Sequence, residues 1–132
     1  MQKKAIRTIS NANYNTPTAP LFLALNILPF EKLVYLHKAL FMHRIYHNNY
    51  HISFTNVWTL NSVRNLDHEL RNTNHFNIPF PRTSHFKKSP IYSLAKFWNE
   101  LPNEDKAQEN PFTFQTQIKN RLFSLIEAEI LE

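Results

Sequence analysis

Across 132 residues the chain has no glycine at all. Every backbone position with positive φ must therefore be filled by a residue that carries a Cβ, and asparagine tolerates that geometry better than most. Walker loops, dinucleotide fingerprints and other phosphate cradles need backbone that a Cβ would obstruct, so these nucleotide-binding classes are excluded. Turns must rest on the 8 prolines and on the many asparagines. Cysteine is absent as well. That removes a disulfide framework, Cys-based zinc sites and a thiol nucleophile, and it fits a reducing compartment, so an intracellular location in nucleus or cytoplasm is expected.

Charge is unevenly placed. Residues 1–100 hold 12 Lys/Arg against 4 Asp/Glu, whereas residues 101–132 hold 3 against 6, within a net charge of +5. The first hundred residues thus present a field that attracts polyanions, which speaks of partners and not of fold. With 42% apolar residues and 11 phenylalanines, the chain can build one modest core. The apolar window PLFLALNILPF, residues 20 to 30, is interrupted by Asn26 and is too short to span a bilayer. It reads as a core segment, and no membrane role is expected.

MQKKAIRTIS turns Ala5, Ile6 and Ile9 to one side and Lys3, Lys4 and Arg7 to the other, as an amphipathic helix with a basic face does. No capping residue precedes it, as expected of a chain that once continued upstream. NANYNTPTAP is turn-rich, and Thr18 is placed to cap a short helix through Leu21, Phe22 and Leu25. From Phe30 to His47 runs the longest helical pattern. Val34, Tyr35, Phe41, Met42, Ile45 and Tyr46 form one apolar arc and Leu33, Leu36 and Leu40 a second, a pattern typical of a sandwiched helix. Residues 48 to 75 are polar and irregular, with Phe54, Val57, Trp58 and Leu60 as an anchoring turn. HFNIPFPRTSHFKKS, residues 75 to 89, carries the aromatic and proline punctuation of short extended segments.

KKSPIYSLAKFWNELP, residues 87 to 102, starts a helix with Ser89 as cap and Pro90 at the first helical position. Pro102 ends it near Glu100, leaving Ile91, Leu94, Ala95 and Trp98 on one face. NEDKAQEN reads as an acidic loop. Asn110 then caps and Pro111 opens a last helix in which Phe114, Ile118, Leu122 and Leu125 recur at helical spacing. The fold class is therefore mainly α: a small helical domain with one or two short extended segments around residues 75–89. Trp98 is its structural anchor, expected to pack with Ile91, Leu94 and the last helix.

Few residues offer chemistry. His43, His47 and His51 are spaced four apart, but HRIYH lacks the glutamate of a metalloprotease helix and no fourth ligand is evident. Partly exposed histidines on the basic side of the long helix are the simpler reading. The only aspartates, Asp67 and Asp105, are not paired in a way that holds Mg²⁺, and no serine sits in a glycine-flanked elbow. No metal, cofactor or independent enzymatic activity is expected. RTSHFKK is a better lead: Arg82, Lys87 and Lys88 are offered to phosphates and Phe86 to a base, the mixture that single-strand binders use. Lys3, Lys4 and Arg7 form a second basic cluster. A solvated basic surface is the plain alternative for both.

In order along the chain, these pieces resemble the C-terminal, post-palm region of the reverse transcriptase of non-LTR, LINE-type retrotransposons, the jockey-like group in particular. MQKKAIRTIS is similar to the family's L-Q-K-R-A-I-R-I-I helix, with Met1 in place of Leu. NANYNTPTAPLFLALNIL resembles its Y-x-x-H-T-x-P-L-F-x-x-L-x-I-L segment, with Pro17 in place of His. HELRNTNHFNIPFPRTSHFKKSPIYSLAKFWNELPNE is similar to an Arg-Asn-rich stretch closing in K-x-S-x-x-Y-x-G-P-K-x-W-N-x-L-P, and PFTFQTQIKNRLF to the terminal S-F-K-x-x-L-K-x-x-L helix. Trp98, Asn99, Leu101 and Pro102 carry the most specific element, while Leu94-Ala95 replaces the family's Gly-Pro and makes the stretch more helical.

The resemblance covers nearly the whole chain and implies a single partial domain, residues 1–132, of thumb or post-thumb type. The family's polymerase palm, with its Y-x-D-D motif and metal-binding aspartates, and its endonuclease lie upstream of such a region. What it implies for function is weak, non-specific binding of RNA or DNA, with upstream domains of a parent enzyme as further partners. The competing expectation is a small helical protein-interaction module that uses Trp98 as an aromatic anchor.

Overall fold

The computed structural model describes residues 1–47, 57–60 and 75–131. It is mainly helical, with six α-helices among the described residues: α1 (Gln2–Ile9), α2 (Ala19–Ala24), α3 (Phe30–Tyr46), α4 (Pro90–Asn99), α5 (Asn103–Ala107) and α6 (Pro111–Leu131). A 3-10 turn, Phe86–Lys88, leads into α4. Between residues 75 and 89 the described backbone forms no strand: an isolated antiparallel bridge joins Leu60 and Phe76, with the Asn77 N–H donating to the Thr59 carbonyl at 2.7 Å, and irregular backbone follows as far as the 3-10 turn. The chain divides into two compact units. One comprises Met1–His37 and Gln115–Glu132, the other Lys38–Phe114.

In the first unit, α1 and α2 end in the same way, and both ends show how a chain without glycine closes a helix. Asn11 has φ of 51° and Asn26 φ of 55°. At α1 the Asn11 N–H donates to the Thr8 carbonyl at 3.2 Å and the Ala12 N–H to Arg7 at 2.9 Å. At α2 the Asn26 N–H donates to Leu23 at 3.1 Å and the Ile27 N–H to Phe22 at 3.0 Å. This paired pattern is a Schellman termination, which asks for a left-handed residue just past the helix, and asparagine takes the place glycine usually fills. Asn26→Ala is expected to cost about 1–2 kcal/mol, because a Cβ without a compensating polar group is poorly tolerated in that conformation. Asn26→Gly is expected to gain up to about 1 kcal/mol. Urea unfolding midpoints of the two variants check both signs.

Gln2 ties α1 to the start of α3. Its side-chain Nε2 donates to the Leu28 carbonyl at 3.1 Å, and its Oε1 accepts the Phe30 N–H at 2.7 Å, satisfying one of the unpaired amides that open a helix. Pro29, between the two, has no N–H to lose. Ile6, Phe22, Leu28, Leu36, Ile118, Leu122 and Ile126 are the buried apolar residues of this unit. On α6 the inward positions thus run at a strict spacing of four, so that Ile126 is buried while Leu125, expected inside, is 47% exposed.

The second unit is organised around Trp98, whose relative exposure is 0%. Around its indole lie the rings of Tyr46 at 5.1 Å, Phe114 at 6.2 Å, Phe76 at 6.3 Å and His43 at 6.4 Å between centroids. Tilted and edge-on arrangements at these separations favour the ring quadrupoles beyond simple area burial. Ala95 on the same helix is buried, whereas Ile91, expected beside it, is half exposed. The turn at residues 57–60 also belongs here: Trp58 is buried and meets Phe41 edge-on at 5.7 Å, and Val57 faces outward. Phe54, expected in the same turn, lies outside the described residues.

Helix starts in this unit follow the sequence by position more than by side chain. Ser89 stands at the N-cap of α4 in extended conformation, and its carbonyl accepts the N–H of Ser93 at 2.9 Å. Its hydroxyl makes no cap bond, and at α2 the same holds for Thr18. Asn110 does cap: its Oδ1 accepts the Phe112 N–H at 2.9 Å, with Pro111 as the first residue of α6. The stretch read as an acidic loop, residues 103 to 110, is helical over its first five residues, Asn103–Ala107, and irregular only after them. Pro102 stands at its N-cap and Glu104 and Asp105 occupy its first turn, where carboxylates favour the positive end of the helix dipole.

Candidate nucleic-acid interface

The two basic clusters fall on different units. Arg82, Lys87 and Lys88 are exposed on the second unit. The frame that carries Lys87 and Lys88 is set by local bonds: the Phe86 N–H donates to Thr83 Oγ1 at 3.1 Å, the Lys88 N–H to His85 at 3.1 Å and the Ser89 N–H to Phe86 at 2.9 Å. Pro90 then commits the chain to α4, against which this 3-10 turn packs. Phe86 is half-buried, its ring centroid 6.3 Å from that of Tyr92. Two cations and a partly open aromatic ring are therefore carried on a braced turn, with Arg82 just before it, so an approaching polyanion meets lysines whose backbone is already ordered.

Lys3 and Lys4 are exposed on α1, in the first unit. Arg7, one turn on, is half-buried and already engaged: its Nε donates to the Thr16 carbonyl at 3.0 Å, and its guanidinium lies 5.9 Å from the centre of the Tyr14 ring. Its charge is thus held in place by the connector between α1 and α2. Such a fixed arginine loses less freedom on meeting a phosphate than a lysine does.

Trp98 and Asn99 are structural in this arrangement. While Trp98 fills the second unit, the Asn99 side chain pairs with the backbone of Phe76 in both directions, Oδ1 accepting its N–H at 2.8 Å and Nδ2 donating to its carbonyl at 3.0 Å. Leu101 is buried, and Pro102 opens α5. Lys106 on α5 is 1% exposed, with its Nζ donating to the Asn99 carbonyl at 3.2 Å, so a cation sits at the C-terminal end of α4. Burial pushes its pKa below the ordinary lysine value. Burial likewise lowers His75, with a further push from the positive charge of Lys106.

His43 is 2% exposed, a correction to the reading of partly exposed histidines on this helix, which holds for His47. Its Nε2 lies 2.6 Å from the Gln108 carbonyl, which can only accept, so that nitrogen carries the proton. The ring stacks on Phe114 at 4.2 Å and lies 4.4 Å from His47. Burial holds its pKa below the ordinary histidine value; the bond to Gln108 opposes that shift and the charge of His47 adds to it. The histidine is thus kept neutral as a packing element. His51, the third of that series, and Asp67 lie outside the described residues. Among the described residues no group of three or more His, Asp or Glu is arranged to hold a metal ion, and no helix is long and apolar enough to cross a membrane. In comparison with known proteins, the chain matches no family model, no curated protein and no solved structure.

Proposed function

We propose that this chain is the C-terminal, post-palm region of a non-LTR retrotransposon reverse transcriptase, without catalysis of its own, and that it holds single-stranded RNA or DNA weakly and without sequence preference. The observation that carries the binding role is the braced turn at residues 83–88, which exposes Lys87 and Lys88 beside the half-buried ring of Phe86, with exposed Arg82 just before it. What supports the family reading is the resemblance of the sequence segments in order, most specific at Trp98, Asn99, Leu101 and Pro102. A protein-interaction module would need its aromatic anchor at the surface, and Trp98 lies inside the second unit.

Neutralising phosphates releases condensed counterions, so affinity for a single strand falls with salt on a log–log plot with a slope of about 0.7 per phosphate contacted. Lys87→Ala with Lys88→Ala is expected to flatten that slope by roughly 0.7 to 1.4 without changing sequence preference. Phe86→Ala is expected to leave the slope alone and to weaken binding by about 1–3 kcal/mol through loss of a base stack. Filter-binding titrations with homopolymer RNA and DNA measure both. A correctly folded chain that retains nothing at about 50 mM salt rules out the binding role.

A further inference from the structure

The first unit holds an open hollow of about 510 Å³ lined by Met1, Lys3, Lys4, Arg7, Thr8, Ala12 and Tyr14. Its size lies within the range of small-molecule sites, about 300–1,000 Å³. Carboxylates are missing from its wall. The neighbouring groove of the same unit carries Glu31 and Glu129, and the hollow beside His43 and His47 in the second unit carries Glu109. Of these three, only a hollow without carboxylates can draw in an anion with no opposing charge at its wall.

Tyr14 gives this hollow its chemistry. Its side chain is 86% exposed, a large aromatic ring left in water where no packing demands it. The backbone explains why it stands there. Asn11, in the left-handed conformation, turns the chain back at the end of α1. The Thr16 N–H then closes a turn onto the Asn13 carbonyl at 3.0 Å, with Tyr14 at its outer corner. Arg7 bonds the far side of that turn through Thr16 and lays its guanidinium over the Tyr14 ring. The ring is thereby held with a cation over it, while its high exposure leaves room for a second planar group.

We infer that this hollow is a nucleotide site for a single strand: Tyr14 stacks a base, Lys3 and Lys4 take the adjoining phosphates, and Arg7 acts as a positioning residue that fixes the ring. The inference rests on the single-strand reading above and adds to it a second binding point, on the other unit, at a residue outside both basic clusters. Sequence-tolerant stacking follows, since every base has a π-face.

The test uses the full chain with two probes of equal length, an oligothymidylate and the same phosphodiester chain made abasic, titrated at low salt with circular dichroism as a check on folding. Tyr14→Ala is expected to weaken the thymidylate by about 5- to 150-fold, the range one base–aromatic stack supplies, and to leave the abasic chain unchanged. Tyr14→Phe keeps the stack and is expected to bind both probes as the unaltered chain does. Lys3→Ala with Lys4→Ala is expected to weaken both probes and to flatten the salt slope by about 0.7 per lost contact. If Tyr14→Ala leaves the preference for thymidylate over abasic chain intact while Phe86→Ala abolishes it, stacking belongs to the 83–88 turn alone: the proposed function survives and the inference falls. Equal weakening of both probes by Tyr14→Ala would make the residue a structural support and also overturn it. Failure of the folded, unaltered chain to bind either probe sinks both.

Discussion

Trp98→Ala is expected to destabilise the protein by about 3–5 kcal/mol, the usual cost of removing a large buried aromatic. Against a typical total of about 5–15 kcal/mol for a natural domain, that loss is a large fraction of what holds it folded. The reason is local. Trp98 is wholly enclosed, and four rings, Tyr46, Phe76, Phe114 and His43, meet it from the α3, α6 and bridge segments of the unit. Its removal opens a cavity that rigid rings fill poorly. Trp98→Phe keeps part of those contacts and is expected to lose clearly less. Thermal and urea unfolding of the two variants measure the difference, and an unchanged midpoint for Trp98→Ala would refute the packing account.

The second large effect is expected at Asn99. Its amide is the partner of both the N–H and the carbonyl of buried Phe76, so Asn99→Ala strands two polar groups at once. At about 1–3 kcal/mol for each buried group left unpaired, the expected loss is about 2–4 kcal/mol. Asn99→Asp is more discriminating. A carboxylate can accept the Phe76 N–H but turns a second oxygen toward the Phe76 carbonyl, which raises its pKa in the folded state above the unfolded value of about 3.9. The folded protein then holds the proton more tightly, so the variant is closest to wild type below about pH 4 and falls behind as pH rises through the folded pKa. Unfolding midpoints of variant and wild type at pH 4 and pH 7 give the comparison. A deficit that does not grow with pH would mean that Nδ2 donates nothing of consequence.

Much of the helical layout was legible locally. Pro90 and Pro111 mark two helix starts by fixed φ and a dispensable N–H, and the long apolar pattern from Phe30 yields α3 within a residue of its expected end. Missed elements had signals of their own that were outweighed. Pro102 followed by Glu104 and Asp105 is a helix start, yet its charge suggested solvent, and nothing local announces that Lys106 is buried. The burial of His43 depends on Gln108, 65 residues away. Leu125 and Ile126 differ by one position on α6, and a helix with apolar residues at both does not declare which one faces inward. For the candidate interface, residue type marked the basic clusters at once. Tyr14 carries no such local mark, because its role comes from a turn set by Asn11 and an arginine seven residues back in sequence, a juxtaposition no periodicity records.

Lys106 gives the second unit a built-in chemical clock. Its amine is closed off from water and tied to the end of α4, whereas Lys87 and Lys88 stand in solvent. An acylating reagent therefore modifies the turn lysines at the rate of free amines and reaches Lys106 only in the fraction of molecules whose α5 has momentarily let go. The ratio of the two rates, read by mass spectrometry on a single sample, is the opening equilibrium of that helix, obtained without denaturant and without any change to the sequence.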